Sequence, residues 1–405
     1  MTDRSPSTAL GVRVAPLTFD DHVWNVTDEG ASRAERERES GPYRSAVTPE
    51  LSDLELVLPG AIAANIGEAT VALAKFDVYA TTILGAGELA PMSAILLRTE
   101  SASSSNIEQI TAGAQQIALA EIGESGSENA NLVVGNVRAM EAALELADDL
   151  SVDSILRMHA RLLAHEPQWA GRYRDGLVWV GGDKLGPRRA THVAPQRELV
   201  VDAMTDLVQF MARNDLPPLA QAAIAHAQFE TIHPFADGNG RTGRALVHAI
   251  LRGKEVVTRA TAPVSAGLLR NTGDYFAALT AYREGNASPI IAQFADASRF
   301  AAARGRRLVD DLAQQTRESE ERIVDIRADA AARRVIPLLV GQPVVNVAYI
   351  QKRLDLNERA AFRAIDALVT RGILVERAGR SRNRVYAHRG ILGVLDSFAA
   401  DIRRG

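Results

Sequence analysis

The dipeptide His233-Pro234 limits how this chain can fold more than any other feature. A residue before proline is pushed out of the α region, so the helical periodicity of Pro218 to Thr231 has to stop there. Helical spacing resumes over Arg241 to Arg252, which leaves His233-Pro234-Phe235-Ala236-Asp237-Gly238-Asn239-Gly240-Arg241-Thr242-Gly243-Arg244 as a loop entering a new helix. Gly238 and Gly240 permit backbone conformations that turn successive N–H groups toward one point, and the helix behind them directs the positive end of its dipole there. The result is an anion hole suited to a polyphosphate. Arg241 and Arg244 add permanent charges with forked donors, and Asp237 supplies a hard oxygen ligand of the kind magnesium uses while it holds substrate phosphates. His233, the one group with a near-neutral pKa, can take a proton from an attacking hydroxyl. A plain Gly/Asn/Asp turn is the bland alternative, and the density of chemically purposeful residues in this run argues against it.

The rest of the chain is long enough to bury sizeable cores: 405 residues, 46% hydrophobic and 24% charged, which excludes disorder throughout. The absence of cysteine excludes disulfides, thiolate nucleophiles and Cys-ligated metal centres. The start of the chain lacks a basic segment followed by an apolar block. The most apolar early stretch, Leu56 to Gly67, falls short of the roughly 20 residues that a membrane helix needs. A cytoplasmic protein without a membrane partner is expected. Charge is divided unevenly, with 14 Arg and Lys against 6 Asp and Glu in residues 331–405, net +8, and net −12 in the preceding 330.

Five regions follow from this reading. Residues 1–48, with Pro, Ser and the charged run Arg33 to Glu39, read as a flexible arm. Residues 49–150 are helical, with a start at Thr48-Pro49-Glu50. Residues 151–300 hold the loop and a hairpin, in which Leu177 to Val180 is a strand, Gly181-Gly182-Asp183 a turn and Thr191 to Val193 the returning strand. Residues 301–332 form a charged helical connector. Residues 333–405 read helix, helix, helix, strand, turn, strand, a winged helix-turn-helix order. The fold class is mainly α.

The loop resembles the motif of the Fic family, His-x-Phe-x-Asp/Glu-Gly-Asn-Gly-Arg-x-x-Arg, at every defining position, and the resemblance covers roughly residues 95 to 300. It implies a protein adenylyltransferase that moves AMP from ATP, with magnesium, onto a Ser, Thr or Tyr hydroxyl of a target protein or of itself. His233 would then be the base, Asp237 the magnesium ligand and Phe235 the anchor of the loop in the core. Gly238, Asn239 and Gly240 would hold phosphates, Arg241 would help, and Arg244 would reach the terminal phosphate, with Thr242 and Gly243 lining the same turn. The hairpin resembles the Fic flap that presents the target hydroxyl, with a tip at Arg189, Ala190, Thr191 and His192. Tyr275, Phe276 and Arg283 fall near the adenine and ribose, where the family often has Tyr-Tyr and an Asn. A nucleotide-sensing transcriptional regulator, or transfer of another phosphate-linked group, is the alternative. His226, on the same helical face as His233, reads as packing.

Two further expectations complete the reading. Ser104-Ser105-Asn106-Ile107-Glu108-Gln109 resembles the Fic inhibitory motif, in which Glu108 would pair with Arg244 in place of the terminal phosphate. Gln109 stands where the family has Gly or Asn, and Ser105-x-x-Glu108 also reads as a capping box. In the basic C-terminal region Arg359 and Arg363 share one face of the recognition helix, and Arg380, Arg382 and Arg384 alternate through the wing. Duplex DNA is the expected partner, a protein-binding module is the alternative, and a homodimer is left open.

Overall fold

The computed structural model describes residues 11–83, 89–377 and 384–404. In chain order its elements begin with β1 (Thr18–Trp24), α1 (Arg33–Glu39), β2 (Gly41–Val47), α2 (Gly60–Ile83), α3 (Leu89–Ile107), α4 (Ala114–Glu121), α5 (Glu128–Glu145) and α6 (Val152–Leu162). There follow β3 (Trp179–Val180), β4 (His192–Val193), α7 (Arg197–Ala212), α8 (Pro218–Ile232), α9 (Asn239–Gly253), α10 (Val264–Leu269), α11 (Thr272–Arg283) and α12 (Ser288–Glu321). The last are α13 (Ala331–Gly341), β5 (Val344–Asn346), α14 (Val347–Leu354), α15 (Glu358–Thr370), β6 (Val375–Glu376), β7 (Val385–Ala387) and α16 (Arg389–Arg404). The mainly helical class with small hairpins is therefore observed. Among the described residues no helix is long and apolar enough to cross a membrane.

Two compact units divide the chain, and their boundaries differ from the five regions read along it. The first comprises Met1–Glu68, Ala142–Lys254 and Gly273–Ala295, and the second Ala69–Glu141, Glu255–Thr272 and Asp296–Gly405. Each unit assembles distant segments because packing, not chain order, decides which helices share a core.

In the first unit α8 is buried along its whole length, every residue from Leu219 to Ile232. Alanine at 220, 222, 223, 225 and 227 lets neighbours approach closely, and α9 packs against it through Gly243. A Cβ on Gly243 would stand 2.9 Å from the Phe229 ring. Burial of α8 on all sides is why its sequence shows apolar residues around the full circumference rather than in a stripe.

Residues 11–48, expected as an arm, are ordered instead. β1 and β2 pair antiparallel over seven residues each, and α1 between them starts on a capping box formed by Ser32 and Glu35. An isolated two-stranded hairpin is marginal in water, and this one is held by the flap hairpin. Trp24 Nε1 donates to Leu185 O at 2.8 Å, its ring meets Trp179 edge-on at 5.4 Å, and Arg188 donates to the carbonyls of Arg38 and Ser40. Glu39 is fully buried and accepts from Arg189 at 2.5 Å and from Arg38 at 2.8 Å. Residues 1–10 of the expected arm lie outside the described residues.

The helix expected from Thr48 begins only at Gly60. The intervening segment is held extended by side chains of α7 and α8 and the turn between them. Asp206 accepts from the amides of Leu51 and Ser52, Arg213 donates to the carbonyls of Ser52 and Leu54, and Gln228 donates to Pro49 O. These bonds replace the helical ladder.

In the second unit α3 is the central helix, packed by α10 and α13. Buried Asp77 accepts from the amides of Thr258, Arg259 and Ala260, and buried Glu100 accepts from the amide of Ser265. The stretch read as a connector is the continuation of α12, a 34-residue helix that buries Ala301, Leu308, Val309 and Leu312 on one face. It is a core element because those apolar residues recur at helical spacing. At the C-terminal end, Asn346 and Asn357 cap α14 and α15, and the strands form a sheet in the order β5-β7-β6.

The order of residues 11–48 has a measurable consequence. Trp24→Ala removes a ring contact and a hydrogen bond, so we expect a loss of about 2–3 kcal/mol and a lowered melting temperature. A mobile arm would leave the melt unchanged.

Candidate active site

α8 ends at His233, which adopts the left-handed conformation with φ 50° and ψ 59°. For a residue with a side chain this conformation costs about 1–2 kcal/mol and needs outside support. Its N–H continues the helix by donating to Phe229 O at 2.9 Å, and its carbonyl accepts from Arg174 Nε at 2.8 Å. The side chain is mostly buried, and Nδ1 lies 3.3 Å from Glu230 O. A carbonyl can only accept, so the neutral imidazole donates from Nδ1 and leaves Nε2 as the acceptor. Burial is the main cause that holds His233 down to about 4, with the Arg283 and Arg174 charges acting in the same direction. The histidine is therefore a neutral base near neutral pH.

The loop beyond it is fixed atom by atom. Phe235 is fully buried and stacks on His159 with ring centroids 3.7 Å apart, so it anchors the loop as its apolar character implies. Asn239 accepts from the Phe235 N–H and donates to the Phe235 carbonyl, both at 2.9 Å. Through these bonds the Asn239 side chain closes the loop on itself. Gly238 has φ 75°, and a Cβ there would stand 2.7 Å from Leu162, so glycine is required on two counts. The first amides of α9 then end the loop without helical partners, at the positive end of the helix dipole. Arg241, nearly fully buried, donates to Asp237 Oδ2 at 3.0 Å, while Asp237 is half exposed. Arg244, Thr242 and Gly243 are buried within the first turns of α9, and Gly240 is half-buried there.

Several supporting residues carried no signal in the sequence. His159 on α6 accepts from the Gly171 amide at Nδ1, which makes Nε2–H the donor to Asp237 O at 3.0 Å. Burial lowers its pKa to about 4. Arg174 reaches the His233 carbonyl from a segment without regular structure. Glu230 stands between two histidines, 3.9 Å from His233 Nδ1 and 4.0 Å from His226 Nε2. His159 and Arg174 belong to no local pattern that spacing could reveal, whereas Glu230 lies four residues after His226 and three before His233, at helical spacing.

The flap and purine-site residues divide into two groups. Thr191, at the tip, is exposed, Ala190 is half-buried, and Phe276 is half exposed. Arg189 is exposed and paired with buried Glu39. His192 and Tyr275 form the second, buried group. The His192 ring is buried with Nε2 2.8 Å from Thr231 O, and Tyr275 is buried with its hydroxyl 2.7 Å from His226 Nε2. Both are built into the wall of the site, because in each case a polar atom is taken up by a neighbour. His226 is fully buried, in agreement with a packing role. Arg283 donates to Glu230 O at 3.4 Å, and burial lowers its pKa to about 10.

Ser104 and Glu108 belong to the second unit. Ser104 is buried in the last turns of α3, and Glu108 is the first residue past its end. Ser105 O accepts from the amides of Glu108 and Ile110, and Gln109 has φ 62°. The capping box is thereby excluded, since Ser105 lies at a helix C-terminus and not at a start. The turn also accounts for the departure at 109: a left-handed helix end is the position that favours Gly or Asn, and Gln109 adopts it at a cost. In the C-terminal region Arg359, Phe362 and Arg363 are exposed along α15, and Arg384 lies 3.5 Å from Glu376. Arg380 and Arg382 lie outside the described residues. Among the described residues no three His, Asp or Glu side chains cluster as a preformed metal site.

Residues 149–251 match the profile of the Fic/DOC family. Over this stretch the chain is similar to Fic/DOC family proteins. The chain is 35% identical over 150 residues to protein adenylyltransferase fic-1 of Caenorhabditis elegans, covering 36% of this chain and 26% of that protein. It is 32% identical over 171 residues to protein adenylyltransferase Fic of Nematostella vectensis, covering 41% and 35%. The chain thus spans about a third or less of the length of these relatives. A crystal structure of a Fic family protein from Desulfovibrio desulfuricans G20 superposes with a TM-score of 0.51 at 24% identity, over 82% of this chain and 97% of that one, and shares its fold.

Burial sets the pH response of the molecule. His159, His192, His226, His233 and His388 are held at about 4, 3, 3, 4 and 4, with desolvation the first cause in each. Each is neutral when folded and gains a proton on unfolding below about pH 6.5, so the unfolded chain binds more protons between that pH and about 4. Stability is full above pH 6.5 and falls as pH drops through this window. Melting temperatures measured from pH 8 to 4 should hold level and then descend, and a level profile down to pH 4 would contradict neutral buried imidazoles.

Proposed function

We propose that this Fic/DOC-like region is a protein adenylyltransferase that moves AMP from ATP to a Ser, Thr or Tyr hydroxyl of a target protein and of the chain itself. The observation that carries this reading is the placement of a neutral imidazole, with Nε2 as acceptor, at the mouth of the α9 N-terminus. The names of the relatives support the same reading.

The amides at the start of α9, with Arg241 and Arg244, bind the phosphate chain. The target hydroxyl oxygen attacks the α-phosphorus, its proton passes to His233 Nε2, and the bond to the bridging oxygen breaks so that pyrophosphate leaves. Asp237 fits a magnesium ion bound together with the substrate phosphates, since one carboxylate oxygen is engaged by Arg241 and the residue is open to solvent. Bound there, the ion would neutralise phosphate charge. The flap hairpin, residues 177–194, offers the target a strand edge, so that main-chain hydrogen bonds present the hydroxyl.

Glu108 is proposed as a brake, a carboxylate that competes with the terminal phosphate for Arg244. The left-handed turn at Gln109 supports this, because it satisfies the backbone requirement that the family meets with Gly or Asn. For residues 333–405 the element order from α13 to β7, with exposed Arg359 and Arg363 on α15, supports a winged helix that contacts duplex DNA phosphates.

Two experiments test the enzyme reading. With α-labelled and γ-labelled ATP, label should reach protein from the α position alone, and His233→Ala should abolish transfer while nucleotide affinity stays within about twofold. Label from the γ position would assign transfer of phosphate instead. Glu108→Gly should raise self-modification by at least about tenfold with little change in melting temperature. A variant no more active than the parent removes Glu108 from the role of brake.

A further inference from the structure

Arg174 lies in the irregular segment between α6 and the flap hairpin, and it is buried to 5% exposure. Among the described residues its hydrogen bonds go to main-chain carbonyls of three separate segments. Nε donates to His233 O at 2.8 Å, Nη1 to Gly176 O at 2.9 Å, and Nη2 to Pro195 O at 2.6 Å and to Ile232 O at 3.5 Å. Its own amide donates to Pro234 O at 3.0 Å. Gly176 and Pro195 flank the hairpin, whose outermost backbone bond runs from the Ala194 N–H to Val178 O. Ile232, His233 and Pro234 form the turn that carries the base.

One guanidinium thus joins both roots of the flap to the base turn. Burying a cation among carbonyls is costly, and burial indeed lowers Arg174 to about 10. Fold stability alone does not call for a charge here, since replacing buried ionic groups by apolar ones is often neutral or stabilising. The planar fork does something an apolar residue cannot. It aims three nitrogens at the carbonyls of three segments in fixed directions, and so sets the distance between the flap roots and the His233 turn.

We propose that Arg174 is a positioning residue that holds the target-presenting hairpin in register with the His233 base. This rests on the transferase reading for its consequence, though the mechanical link itself does not. Arg174 is buried and spends its donors on main-chain carbonyls, so its loss should misplace the hydroxyl against the imidazole and leave nucleotide binding intact. A second tie, from His192 to Thr231 O, keeps the hairpin folded when the first is weakened.

The test uses the full chain as Arg174→Lys and Arg174→Met. Lysine keeps the charge and a single nitrogen, so it can serve one of the three segments but not all. Hydrogen exchange should speed up by about tenfold or more at residues 176–195 and 233–236, with residues 219–229 of α8 unchanged. In self-modification with Mg-ATP, kcat should fall by roughly 10- to 100-fold, with KM for ATP within about twofold. Should Arg174→Met fail to fold, Arg174→Lys carries the test.

Unchanged exchange at the hairpin roots in folded Arg174→Lys overturns the proposal. So does exchange that rises equally everywhere, which marks a merely structural role. If the unaltered chain transfers nothing from ATP, the transferase reading fails, and the exchange pattern still decides whether Arg174 links flap and base turn.

Discussion

At the end of α8 the chain must stop a fully buried helix, place its last residue in a left-handed conformation and leave no carbonyl unsatisfied. The Arg174 guanidinium meets the last requirement from outside the helix, by donating to the carbonyls of Ile232 and His233. With the turn so held, Phe235 can stack on His159, Asn239 can close on the Phe235 backbone, and α9 can begin with its amides directed outward. Each of these contacts depends on the one before it. The site is therefore a consequence of how a helix ends, more than of any single reactive group.

The electrostatic character of the site follows from the same burial. Arg174, Arg241, Arg244 and Arg283 bring four cations to a small region, and Asp237 is the carboxylate bonded to Arg241 there. Burial is what chiefly keeps the His233 imidazole neutral, and the Arg283 and Arg174 charges, which also favour an anion, act in the same direction. His159 and His226 are neutral for the same first reason, desolvation, and act as hydrogen-bonding spacers. Histidine serves two purposes within one site, and its surroundings decide which.

The flap is supported from its other side by residues 18–47. Fully buried Glu39, held by Arg38 and Arg189, and the Trp24 bond to Leu185 O fix the loop between β3 and β4. Charged residues in a run such as Arg33 to Glu39 ordinarily signify a solvated segment, and most of α1 is indeed exposed. Buried Glu39, the indole of Trp24 and the Arg188 bonds to the carbonyls of Arg38 and Ser40 tie the segment to the hairpin.

The sequence by itself determined the features whose causes are local. His233-Pro234 had to end a helix, Gly238 could take a conformation that most other residues avoid, and the helices α8 and α9 lie within two residues of their expected bounds. Tertiary structure alone decided the rest. Arg174 and His233 are 59 residues apart, His159 and Asp237 are 78, and Glu39 and Arg189 are 150. Pairs at such separations leave no periodicity to read. A buried arginine, a histidine or an acidic run looks the same in sequence whether it faces water or a carbonyl, and only the fold brings the partner that gives each its role.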